Sequence, residues 1–93
     1  MNREIARKEL HTYLEKFRAR SYKELTQLLD EPQRDTVVGE DGTAYEIEVQ
    51  IRWEKAPGGD VRVVGLIDDK RLVSAILPVS RDFIVTPEGE VLD

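Results

Sequence analysis

Few residues in this chain have the chemistry of a reactive site, and their spacing decides what they can do. His11 is the single histidine, and Glu15 follows it by four positions, so a helix would bring the two together. A general base needs such an orienting carboxylate, but pairs of this kind are ordinary on exposed helices. Asp68 and Asp69 adjoin, with Asp41 and Asp60 in other turn-like stretches. A calcium-type site draws about six to eight oxygens from one dense loop, so these aspartates read as turn residues. Ser74 and Ser80 have no evident His or Lys partner. The "PGGD" stretch lacks the Gly-x-x-x-x-Gly-Lys pattern of a phosphate loop. There is no cysteine, which excludes disulfides, thiolate chemistry and cysteine-based zinc sites. The expectation is a non-catalytic protein with no cofactor and no metal. Tyr13, Phe17, Tyr45 and Trp53 remain as candidates to line a small-molecule pocket between helix and sheet.

The elements that must position these residues are legible from periodicity. Ala6, Leu10, Tyr13, Leu14 and Phe17 recur at helical spacing, with Ile5 at the edge, and predict a helix over 3–19. Ser21 followed by Glu24 is a capping-box pattern, so a second short helix starts there, with Tyr22, Leu25, Leu28 and Leu29 on its apolar side. The chain bends near Arg20, and Pro32 closes the helical part. "YEIEVQIRWEK" then alternates: Tyr45, Ile47, Val49, Ile51 and Trp53 on one side of a strand, Glu46, Glu48, Gln50, Arg52 and Glu54 on the other. The "EDG" turn precedes it and "APGGD" follows. "VRVVGLI", "RLVSAIL" and "DFIVT" read as further strands, and "PEG" turns the chain toward "EVLD".

A tight turn at Asp69–Lys70 would pair Ile67 with Leu72 and Val63 with Ile76. It would leave Val64, Leu66, Val73, Ala75 and Leu77 on the face that a single helix does not cover. An exposed apolar patch of that kind marks an interface, and a second copy across a two-fold axis is the commonest occupant. These five residues are the dimer-interface candidates.

At 93 residues, positions 1–93 make one domain with a thin stability margin. Residues 1–25 carry seven Lys or Arg against four Glu, a surplus of +3, within a chain of net −5, so the remainder carries −8. This acidic balance argues against general nucleic-acid binding. The N-terminus has no signal-peptide pattern and no segment is a membrane span, so the cytoplasm is the expected location.

The order is one bent helix followed by four or five strands with short connections, an α+β class with the helix packed on a curved antiparallel sheet. With its ending "DFIVTPEGEV", this order resembles the cystatin-like roll, which small bacterial proteins related to the nuclear-transport-factor-2-like superfamily share. "TVVGEDG" is only a loose echo of the cystatin inhibitory loop, and no functional residue carries over. The resemblance implies a protein that dimerises, inhibits a partner or holds a small ligand, and in a few cases an enzyme. The reading favoured is a non-catalytic interaction or regulatory module that dimerises through the second sheet face. The alternative is a small-ligand binder, or less readily a small enzyme, using the helix–sheet pocket.

Overall fold

The computed structural model describes residues 2–69 and 78–93. Helix α1 spans Arg3–Arg18. It starts there because the Asn2 side chain accepts from the amides of Glu4 and Ile5, both at 3.1 Å, and so satisfies two of the free donors of the first turn. Helix α2, Tyr22–Thr26, opens on the expected capping box: the Glu24 amide donates to the Ser21 hydroxyl at 3.1 Å, and the Ser21 amide donates to the Glu24 carboxylate at 2.9 Å. It is shorter than the apolar spacing suggests. Leu28 and Leu29 lie beyond its end and pack on the core from a turn, which Asp30 closes with φ at +61°.

Five strands follow among the described residues: β1 Gln33–Val38, β2 Ala44–Trp53, β3 Val61–Asp68, β4 Val79–Val85 and β5 Val91–Leu92. They form one open antiparallel sheet in chain order, β1-β2-β3-β4-β5. The "EDG" turn joins β1 to β2. The Gly42 amide donates to the Gly39 carbonyl at 3.0 Å, and the Gly39 amide donates to Thr43 at 2.9 Å. Gly42 takes φ of +79°, the left-handed conformation that this bulged hairpin demands. "TPEGE" repeats the same pattern between β4 and β5, with Gly89 donating to Thr86 and Thr86 to Glu90.

Both helices pack on one face of the sheet. Ala6, Leu10, Leu14, Phe17 and Leu25 meet Tyr45, Ile47, Val49, Ile51, Val61, Val63, Ile67, Val79, Phe83 and Val85 in one buried core. The alternation in β2 and β3 is therefore real: every second residue is buried under the helices, and the intervening ones face away. Gly65 stands in the buried row of β3 directly under α1. A Cβ there would lie 2.9 Å from a Leu10 methyl and 3.0 and 3.1 Å from those of Leu14. The missing side chain lets the helix approach the strand.

One expectation is corrected. β3 does not pair with residues 71–77 across a turn at Asp69–Lys70. It pairs with β4, with Ile67 opposite Val79, Val63 opposite Phe83 and Val61 opposite Val85, and β2 holds its other edge. Pro78 immediately precedes β4, a position where a missing amide costs nothing to a ladder. It introduces β4. Residues 70–77, and with them the interface candidates Val73, Ala75 and Leu77, lie outside the described residues.

Candidate functional site

The four pocket candidates divide into two pairs. Phe17 and Tyr45 are wholly inside the core, whereas Tyr13 and Trp53 are half-buried and pack against it. Tyr13 and Phe17 have ring centroids 5.9 Å apart, and the Lys16 ammonium sits 3.8 Å above the Tyr13 ring. Partial burial pushes the Tyr13 hydroxyl pKa up, and the negative charge of the nearby Asp35 carboxylate raises it further. The helix stripe is seated chiefly over β3 and β4, and α2 packs on β2 and β3.

Tyr45 hangs its ring in the core and its hydroxyl at the β1–β2 turn, where it donates to Asp41 at 2.9 Å. Burial raises the Tyr45 pKa above that of a free tyrosine, and the neighbouring Asp41 carboxylate adds to this. For Asp41, desolvation pushes upward, but hydrogen bonds from Thr43 and Tyr45 outweigh it and hold the carboxyl below its usual range. A tyrosine whose pKa is raised on folding adds stability below the unfolded value, about pH 10, and loses that contribution as the pH rises through the folded value. We expect wild type to exceed Tyr45→Phe by about 1 kcal/mol at pH 8, the worth of one hydrogen bond. That gap should close above pH 10. Urea midpoints of both proteins across this range check it, and a gap that widens with pH would contradict the assignment.

His11 lies 3.5 Å from Glu15 with both side chains half in solvent, an exposed helix pair. Asp60 serves the β2–β3 turn, where its carbonyl accepts from the Glu54 amide at 2.8 Å. Among the described residues, no three His, Asp or Glu side chains converge as a metal site.

The face of the sheet turned away from the helices carries a different pattern. Register lines up Thr36, Glu46 and Asp68 at one end, then Arg34, Glu48, Leu66 and Ser80, then Gln50, Val64 and Asp82, and finally Arg52, Arg62, Ile84 and Leu92. Arg34 binds Glu48 across β1 and β2 at 2.8 Å, and Gln50 donates to the same carboxylate at 2.6 Å. The Gln50 amide, and after it Arg34, hold the Glu48 pKa down. Arg62 stands opposite Arg52, as the strand pattern suggests. Arg62 offsets that repulsion by bridging Glu54 at 2.5 Å and Asp82 at 2.6 Å. Between these polar rows runs a diagonal of apolar side chains, Leu66, Val64, Ile84 and Leu92. The first three are half-buried and Leu92 is 44% exposed. A groove of about 320 Å³ opens at the Leu66 end, walled by Arg34, Glu46, Glu48, Asp68 and Pro78.

Two of the expected interface residues, Val64 and Leu66, therefore sit on the face away from the helices. Ile84 and Leu92 complete the diagonal and are not among the sequence candidates. Their signal was present: Phe83 and Ile84 are adjacent apolar residues in one strand, so one of them must face away from the core. The chain has no match among protein-family models, curated proteins or solved structures.

Proposed function

We propose that this chain is a non-catalytic interaction module that pairs with a second copy of itself through the sheet face opposite the helices. The observation that carries this reading is the apolar diagonal of Leu66, Val64, Ile84 and Leu92 on that face. Apolar surface of this kind is stabilised by burial, and a self-complementary face meeting its copy about a two-fold axis is the simplest way to bury it. The charges favour the same partner. Glu46 and Asp68 stand at one end of the face and Arg52 and Arg62 at the other. A two-fold axis running across the strands sets the carboxylate end of one copy over the guanidinium end of the other. The helix-then-meander order supports placing the fold with the cystatin-like rolls and the small nuclear-transport-factor-2-like proteins. The competing reading, a ligand pocket between helix and sheet, is disfavoured by the complete burial of Tyr45 and Phe17 within the core.

Light scattering on a size-exclusion column tests the proposal with wild type and Leu66→Glu. The expected result is a wild-type dimer and a monomeric variant with an unchanged far-ultraviolet circular dichroism spectrum. A wild-type monomer at all accessible concentrations refutes the interface and returns weight to ligand screening around Tyr13 and Trp53.

A further inference from the structure

Two copies can meet through the outer face about either of two axes, and the ends of the strands tell them apart. An axis parallel to the strands sets each row of residues over the same row of the other copy. Arg52 and Arg62, opposite each other on β2 and β3, would then meet two more guanidinium groups. Glu46 and Asp68 would meet two more carboxylates. Like charges brought together in an interface are strongly unfavourable. An axis across the strands instead keeps each strand over its own copy and reverses its direction.

The rows of this face are complementary under that reversal. Glu46 lies beside Asp68, Glu48 beside Leu66, Gln50 beside Val64, and Arg52 beside Arg62. An axis midway between Leu66 and Val64 exchanges the first row with the last and the two inner rows with each other. Leu66 then covers the partner's Val64, and symmetry makes that contact twice. Glu48 meets the partner's Gln50, whose amide is the kind of donor that Glu48 already accepts within its own chain at 2.6 Å. On β4 the Ser80 hydroxyl comes over the partner's Asp82 carboxylate. β3 is the central strand of the five, so this axis crosses the middle of the sheet. Packed sheets turn by about 30° relative to each other, an offset that a long arginine side chain at the end of β2 can span.

Most charges on the face are balanced within the chain. Arg34 holds Glu48, and Arg62 bridges Glu54 and Asp82. Arg52 is the exception. It is exposed and forms no ion pair or side-chain hydrogen bond among the described residues. A guanidinium group carried into an interface needs a carboxylate to meet it there. The axis across the strands supplies one, at the far end of the partner's β2.

We propose that, given self-pairing through this face, the two-fold axis crosses the strands between Leu66 and Val64, and that Arg52 fixes the arrangement by binding the partner's Glu46 twice per dimer.

Sedimentation of wild type, Arg52→Glu, Glu46→Arg and the double variant tests the axis. Each single change sets two like-charged pairs together, so the dimer dissociation constant should rise by about tenfold or more. The double variant puts opposite charges back at both pairs and should recover most of the lost affinity. Mixed with isotope-labelled wild type and read by native mass spectrometry, the double variant should form no mixed dimer. Such a dimer would set arginine over arginine and glutamate over glutamate. Circular dichroism spectra that match wild type will show that the variants are folded. A wild-type dimer that Leu66→Glu dissociates but both single charge changes leave unaltered overturns the axis while the face stands. Single changes that weaken pairing without recovery in the double variant overturn the contact between Arg52 and the partner's Glu46. A wild-type monomer removes the face and the axis together.

Discussion

Gly65→Val should lower the stability of the fold by about 2 kcal/mol. Two effects oppose each other at this position. A glycine inside a strand is unfavourable, and a β-branched residue would recover up to about 1 kcal/mol of strand preference. Against that, even the first added carbon falls 2.9 Å from Leu10 and 3.0 Å from Leu14. The atoms it meets are leucine methyls, which could swing aside on a surface. Here both leucines are fully buried, and overpacking of that kind costs about 1–3 kcal/mol. Valine adds two further methyls, so the steric cost wins. Gly65→Ala should lose much less. A urea unfolding series on both variants checks the order. Adding Leu14→Ala to Gly65→Val should cost less than the sum of the two single changes, because each relieves the other. Wild-type stability in Gly65→Val would mean that α1 does not rest on β3 as closely as described.

Phe83→Ala should be more damaging still, by about 3–5 kcal/mol. Phe83 is 1% exposed, joins β4 to the helix side of the core, and carries the Arg18 guanidinium on its ring. A chain of this size has a total stability of only about 5–14 kcal/mol. The variant should therefore lose a large share of that margin and melt at a much lower temperature. Phe83→Leu separates the two roles of the ring. It keeps most of the volume but removes the cation–π contact, worth about 0.5–2 kcal/mol. Thermal melts of the three proteins should rank wild type, then leucine, then alanine, with the large step at alanine. Equal losses in both variants would show that the stacking on Arg18, and not the filled volume, holds this corner.

What was legible in the sequence follows from which interactions are local. The α1 stripe, the Ser21–Glu24 capping box and the alternation of Tyr45–Trp53 are short-range patterns, and each appears where the spacing puts it. The turn glycines were equally readable, because a positive φ leaves few other choices. Strand pairing is not local. The tight turn read at Asp69–Lys70 was reasonable by residue type, yet β3 takes its partner from residues 79–85. That change of partner brings Ile84 onto the outer face beside Arg62, one row along from Val64. Val64 and Leu66 lie on the face away from the helices because burial on β3 alternates whichever strand lies alongside. The outward rows that run on to Ser80, Asp82 and Ile84 could not be foreseen, since they depend on β3 and β4 meeting in register.

Trp53 gives this molecule a built-in optical reporter. It is the only tryptophan, it sits half-buried where β2 leaves the sheet, and its backbone partner on β3 is Val61 in the closed core. Indole emission is therefore a signal from one known place. It will move to longer wavelength when water reaches the end of the β2–β3 ladder, with no label attached and no second fluorophore of its kind to confuse the spectrum.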